Sequence, residues 1–230
     1  MRVDRPLLGR ALAVVLAAIA ALALLAAPGQ ASAPPGVTDN GDGTFTLRQR
    51  QEEIVSGADT GWTSVYSAFP TTGHWNGAGL ADGRARAGFQ DWTEPAIARS
   101  FFQFDVSRLG KARVLRAELT LFGAHSATCA GSAVSLRSTG PVDASTTWNT
   151  QPAVYSARTT YESGFCGGGR WIGFDVTGEV AEAAGRGPTA TFGLTAADER
   201  DRYAYRAYGT GATGQAPVLT ITFEIPEGTR

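Results

Sequence analysis

The residues of this chain that could do chemistry are few, and most sit in polar, turn-rich stretches. In "TGHWNGAG", His74, Trp75 and Asn76 are consecutive in a glycine-rich segment. An exposed indole stacks on the C–H face of a sugar ring, while an imidazole and an amide bond its hydroxyls. Tyr203 and Arg206 of "DRYAYRAY" offer the same division of labour, a phenol beside a guanidinium. These five are the candidate ligand contacts. Asp198, Glu199 and Asp201 place three carboxylates within four residues. Oxygen clusters of that kind suit a hard cation, so a structural calcium ion is the one cofactor the sequence suggests. The same three could also hold a glycosidase-type carboxylate pair, or simply be a solvated loop. Asp39 and Asp42 flank glycines in "TDNGDGTF", but the full calcium-loop spacing is absent and a turn is the expectation.

The motifs of several enzyme classes are missing. His74 and His125 belong to no H-E-x-x-H or H-x-H pattern, and there is no G-x-S-x-G elbow, phosphate loop or dinucleotide fingerprint. Catalysis is therefore not expected, and a secreted hydrolase is the weakest of the functional readings. The stretch "STTWNTQPAV" carries Trp148 behind two threonines, which favour extended backbone, while Pro152 keeps Gln151 out of a helix. Trp148 is expected to pack on the edge of the fold in a structural role. Trp171 lies inside an alternating strand and is expected in the core.

Those residues need elements to hold them. Alternation with period two marks strands in "RVLRAELTLFG" (113–123), with Leu115, Ala117, Leu119 and Leu121 on one face, and in "PVLTITFE" (217–224). Residues 100–106, 133–138, 170–176, 191–196 and 202–208 read similarly, and Gly, Pro, Asp and Ser clusters separate them. Many short alternating strands predict an all-β chain, an antiparallel jelly-roll β-sandwich. One short helix is expected in "DVTGEVAEAAGRG" (175–187), capped by Thr177 and ended by Gly185 or Gly187. Residues 71–95 read as long loops.

The first 33 residues have their own logic. Arg2, Arg5 and Arg10 precede an uncharged apolar run from Ala11 to Ala27, and Ala31-Ser32-Ala33 is a small-x-small cleavage site. That order is a secretory signal peptide, so the chain is expected to be extracellular, either free or associated with the cell envelope, with no stable membrane insertion after cleavage. The leader carries three arginines and one aspartate, so 17 basic and 20 acidic residues remain in the mature chain. No basic stripe exists to neutralise phosphates, and no nucleic-acid partner is expected. The sequence identifies no protein partner. In an exported chain, Cys129 and Cys166 are expected to pair; a metal-binding or catalytic thiol is the alternative.

Taken together, several stretches resemble one family. "SFFQFDVSRLGKARVLRAELTLFGAHSATC", "TGPVDASTTWNTQPA", "IGFDVTGEVAEAAGRG", "FGLTAADERDRYAYRAYG" and "APVLTITFE" occur in the order seen in DNRLRE-type domains, also classed as carbohydrate-binding module family 96. The similarity runs from about Trp62 to Phe223. With the leader at 1–33, it divides the chain into an N-terminal hairpin or extension (34–61), a sandwich domain (62–224) and a tail (225–230). It also implies non-catalytic binding of a polysaccharide and a Cys129–Cys166 bridge, and it supports Trp148 as an architectural residue. The letters DNRLRE themselves do not occur; "ADERDR" is the nearest run. Asp105 and Asp175, each after a phenylalanine at a strand end, read as carboxylates that fix turns by accepting backbone N–H groups. The competing reading is a structural or adhesion domain of the cell surface with no glycan ligand.

Overall fold

The computed structural model describes residues 36–51, 60–91 and 94–226; the expected leader, Trp92 and the last four residues lie outside them. Twelve strands follow in chain order: β1 (Val37–Asp39), β2 (Thr44–Arg50), β3 (Gly61–Tyr66), β4 (Ala85–Gln90), β5 (Ala96–Asp105), β6 (Arg113–Ser126), β7 (Ser132–Thr139), β8 (Val154–Glu162), β9 (Arg170–Asp175), β10 (Thr189–Ala196), β11 (Arg206–Tyr208) and β12 (Val218–Glu224). One helix, α1 (Thr177–Arg186), stands between β9 and β10. All pairings are antiparallel. β2 pairs with β12, β5 with β10, β6 with β9 and β7 with β8, first with last along the chain. That is one long hairpin, its tip at β7–β8, rolled up into two sheets, and it is the jelly roll expected from the strand pattern. The first sheet runs β1-β2-β12-β6-β9; the second runs β5-β10-β7-β8, with β3 added on the free side of β5.

Burial of the inward faces holds the sheets together. Leu119 and Leu121 of β6, Leu219 and Ile221 of β12, Phe102 and Phe104 of β5, and Phe192 and Leu194 of β10 are all essentially inaccessible. At roughly 25 cal/mol per Å² of apolar surface removed from water, each such side chain contributes about 1.5–3 kcal/mol before entropy is subtracted. The β6 face departs from strict alternation at one point. The register between β6 and β12 slips between Thr222 and Phe223, so Val114 rather than Leu115 takes the inward position, and Leu115 is exposed. A bulge of this kind inserts one residue and turns the side chains before it to the other face.

β4 was not expected, because residues 71–95 read as loop. Its first half, Ala85–Ala87, pairs with β11 in the first sheet; its second half, from Gly88, pairs with β5 in the second. Ala85 and Ala87 are buried but small, and the Arg and Gly residues between and after them obscure the alternation. The expected strand at 202–208 is shorter than predicted: a 3-10 turn occupies Arg202–Ala204 and only Arg206–Tyr208 is extended. In α1 the capping residue also differs. Thr177 is the first helical residue, and Asp175 accepts both its N–H (3.0 Å) and its hydroxyl hydrogen (2.7 Å). Thr177 Oγ1 in turn accepts the Ala117 N–H (2.9 Å), tying the helix start to β6, and Val180 and Ala183 bury the helix against the core. Cys129 and Cys166 form a disulfide that joins the β6–β7 and β8–β9 connections across 37 residues of chain. On the chain-entropy account it contributes about 4 kcal/mol. Among the described residues no helix is long and apolar enough to cross a membrane.

Candidate functional site

A sandwich offers two outward faces, and in this chain they differ. The outward residues of the second sheet around β3 and β5 are covered. Val65 and Phe101 point away from the main core, yet both are buried, together with Val142. The lid over them is the 140–153 connection together with Trp75. Gln103 clamps the connection: its amide N–H donates to the Val142 carbonyl (3.0 Å), and its oxygen accepts the Val142 N–H (2.8 Å) and the Thr191 hydroxyl (2.9 Å). Trp148 packs on this small second core with the Arg99 guanidinium 4.6 Å over its ring. Arg99 is fixed in turn by a two-pronged bond to Glu199 (2.7 Å for each prong) and by Gln151 (2.9 Å), whose amide donates to the Trp148 carbonyl (2.8 Å). Trp148 is thus held between the small second core and the Arg99 guanidinium, with part of its surface exposed.

The outward face of the first sheet is open. β9 alternates: Ile172 and Phe174 turn inward, while Trp171, Gly173 and Asp175 turn outward. Trp171 is 48% exposed, which corrects its assignment to the core. The size of the indole suggested burial, but its strand partners on the same face are a glycine and an aspartate. Trp171 meets Phe122 edge to face, with ring centres 5.4 Å apart and planes at 71°, an arrangement that holds the indole with about 0.5–1.5 kcal/mol beyond its area of contact. Gly169 also lies against Phe122: a Cβ there would sit 2.7 Å from the phenylalanine ring, so only a glycine lets the chain pass.

From Trp171 the register defines the rest of the face. Gly173 lies opposite Thr120, and Thr120 opposite Val218; Asp175 lies opposite Glu118, Glu118 opposite Thr220, and Thr220 opposite Arg48. Arg116 pairs with Glu118 (3.1 Å) and stands beside Thr222. The Glu118 carboxylate lies over Gly173, where any side chain would displace it. The result is a strip of short side chains and hydroxyls, bordered by paired charges, with the Trp171 indole at its edge and Val218 buried beside Thr120. Across four strands it is about 14 Å wide. Indole planes take the C–H faces of pyranose rings, and Thr, Glu and Arg side chains bond ring hydroxyls, so this strip has the chemistry for a polysaccharide chain.

The five candidate contacts read from sequence are not brought together. His74 lines a cavity between β3 and β4. Trp75 is half-buried on the small second core. Asn76 adopts a left-handed backbone (φ 50°) and its Oδ1 accepts the Trp62 N–H (3.1 Å), fixing the loop to β3. Tyr203 is well exposed, with the Arg202 guanidinium 5.8 Å from its ring. Arg206 is 0% exposed and presents no surface to a ligand: its guanidinium donates to the Tyr205 and Glu162 carbonyls (3.2 and 3.3 Å) and lies 5.5 Å from the Phe165 ring. The alternating pattern placed it outside, but β11 lies between β4 and β6, covered on both sides.

The three carboxylates proposed for a cation have separate partners. Asp198 accepts the Arg200 N–H (2.9 Å), Asp201 accepts the Tyr203 N–H (2.8 Å), and Glu199 is bound to Arg99. Among the described residues no group of three or more His, Cys, Asp or Glu side chains is arranged to hold a metal. Asp105 accepts the Ser107 N–H (2.8 Å) and Asp175 the Thr177 N–H, each two residues on.

The fold is an antiparallel β-sandwich of jelly-roll type, with loops packed over β3 and β5 of one sheet and Trp171 exposed on the other. The model of carbohydrate-binding module family 96 matches residues 87–223, more than half of the chain, and the chain belongs to that family. The match spans β5 to β12, α1 and the second half of β4, and so contains Trp171, Phe122, Gly173, Thr120 and Glu118. No curated protein matches the sequence.

Proposed function

We propose that the chain is an exported, non-catalytic module that binds polysaccharide along the bare face of the first sheet, with Trp171 as its stacking platform. The observation that carries this is the indole, half exposed and held edge-on by Phe122 beside a strip of Gly and Thr. Membership of a carbohydrate-binding family supports the ligand class. The N-terminal leader pattern and the disulfide support export and action outside the cell. Binding without catalysis fits the position of Glu162, whose carboxyl burial pushes up to about 7: among the described residues it is sealed behind Tyr208 and faces Arg206, out of reach of a chain bound on the Trp171 face.

The test is affinity electrophoresis of the mature chain through gels containing acidic or neutral polysaccharides. One polymer should retard the protein, and Trp171→Ala should weaken that retardation at least about tenfold in apparent Kd, about 1.4 kcal/mol. Trp75→Ala would not serve, since Trp75 is part of the frame. Retardation untouched by Trp171→Ala would remove the face from consideration. No retardation by any polymer would leave the structural or adhesion reading.

A further inference from the structure

The segment 163–169 carries the chain from β8 in the second sheet to β9 in the first, and one half of the disulfide lies within it. Cys129 and Cys166 are both exposed, and Trp171 follows Cys166 by five residues. Ahead of the bridge the segment is held tightly. At Gly164 a Cβ would meet the Thr128 carbonyl oxygen at 2.4 Å and the Cys129 backbone at 2.6 Å, so the two connections touch. The Phe165 N–H donates to Ser126 Oγ (2.8 Å), which donates to the Thr128 carbonyl (2.7 Å). The Phe165 ring is buried, and a Cβ at Gly123 would lie 2.3 Å from it.

Beyond the bridge that packing stops. Gly167, Gly168 and Gly169 follow one another with φ of 87°, 119° and 80°. At Gly167 and Gly168 no atom lies within 4 Å of a Cβ. Glycine loses more conformational freedom on ordering than any other residue, so such a run keeps a single course only when both of its ends are fixed. Gly169 fixes the far end, seated against the Gly123 carbonyl and the Phe122 ring. Arg170 and Trp171 come next, opposite Gly123 and Phe122. The near end is Cys166, and the bridge is its anchor. Among the described residues β9 has β6 as its one partner strand, so the phase of Trp171 depends on that ladder and on how the chain enters it.

We propose that the Cys129–Cys166 bridge is a positioning element for Trp171. Closed, it delivers the chain to β9 in the phase that turns the indole outward; opened, it leaves the binding face incomplete. This rests on the reading of Trp171 as the stacking platform, and it makes polysaccharide binding responsive to redox conditions. A dithiol opens the bridge by exchange: its thiolate bonds to one cysteine sulfur and the other cysteine leaves as a thiolate. The second thiol of the reductant then displaces the first cysteine, so two cysteine thiols form as the dithiol closes its own disulfide. An excess of the oxidised reagent reverses the exchange. Phe165 and its bond to Ser126 stay in place throughout, so the sandwich persists while residues 166–171 are released. An oxidising compartment keeps the bridge closed, in line with the export proposed above.

The test compares the mature chain with its bridge closed, the same chain opened by dithiothreitol, and a variant with a Gly-Gly insertion between Gly167 and Gly168 that keeps the bridge. Deuterium uptake, read by mass spectrometry on peptides covering β9 and β12, reports the positioning without any polymer. Opening the bridge and inserting the glycines should each speed exchange in β9 about tenfold and leave β12 unchanged. Affinity electrophoresis through xylan, galactomannan or polygalacturonate gels reports the consequence. For a polymer that retards the parent chain, each change should weaken the apparent Kd about fivefold, and neither should weaken further the residual retardation of Trp171→Ala. A bridge that served stability alone would move the melting temperature and none of these readings. Unchanged β9 exchange after both changes overturns the proposal, and so does a further loss in Trp171→Ala. If opening the bridge exposes β12 as well, the insertion variant decides, and unaltered β9 exchange in it overturns the proposal. If no polymer retards the parent chain, the reading of the face fails, while β9 exchange still decides whether the bridge positions Trp171.

Discussion

Glu162 carries a carboxyl displaced toward neutral pH. Burial pushes its carboxyl up to about 7, against the opposing pull of Arg206, the Tyr208 hydroxyl (3.2 Å) and Arg170. A carboxyl raised in the folded state binds its proton more tightly there than in the unfolded chain. The stability it contributes is complete below its ordinary value of about 4.5 and is lost as pH rises through 7. The full span corresponds to at most about 3 kcal/mol. The melting temperature should therefore fall as pH rises from 5 to 8, and Glu162→Gln, which keeps an oxygen toward Tyr208 and Arg206, should flatten that dependence. A slope that persists in the variant would mean that another group sets it. Trp171 shows how far single residues were legible. Its strand was read correctly and the alternation already grouped it with Gly173 and Asp175, so the polar side was visible. The size of the side chain was weighed above its phase. His74, Trp75 and Asn76 are adjacent candidates in sequence, yet the fold separates them: His74 lines a cavity, Trp75 packs on the small second core and Asn76 fixes the loop to β3.

Among the elements, β4 and β8 were the hardest to read, for different reasons. β8 is an edge strand exposed on both faces, so Ser, Arg and Thr fill it without alternation, and its aromatic residues Tyr155 and Tyr161 face solvent. β4 changes sheets at Gly88. There φ is +103°, and a Cβ would sit 2.9 Å from the Tyr205 Cα and 3.1 Å from the Ala204 oxygen. Two penalties coincide, a backbone conformation disfavoured for L side chains and a clash against rigid backbone. Gly88→Ala should destabilise the fold by roughly 2–4 kcal/mol. Gly43 provides the control, because its φ is +88° with no atom within 4 Å of a Cβ. Gly43→Ala should cost only the backbone part, about 1–2 kcal/mol. Equal losses in urea denaturation would show that the crossing is not tightly packed. The jelly roll itself was legible, since strands that alternate cleanly (β6, β10, β12) are those with one buried face. The bulge that exposes Leu115 was not, because it is set by the register of β12 against β6.

At the scale of the molecule, the pairing of first and last strands has a consequence for connectivity. Thr44 and Glu224 are partners in the β2–β12 ladder, and β1 runs back along β2 with Val37 opposite Leu47. The described part of the sandwich therefore begins on β1 and ends on β12, with β2 between them in one sheet, roughly 15 Å apart by strand spacing and rise. A linker of about six residues would close that gap, and new ends could be opened at Gly110–Lys111, an exposed turn between β5 and β6. Such a circular permutant should melt within a few degrees of the parent and keep its Trp171-dependent retardation. Collapse of the fold would mean that β5 must be joined directly to β6 for the sandwich to form. A module whose ends meet in this way can be spliced into a surface loop of another protein as readily as it can be attached to its terminus, with the Trp171 strip on the same sheet as the splice.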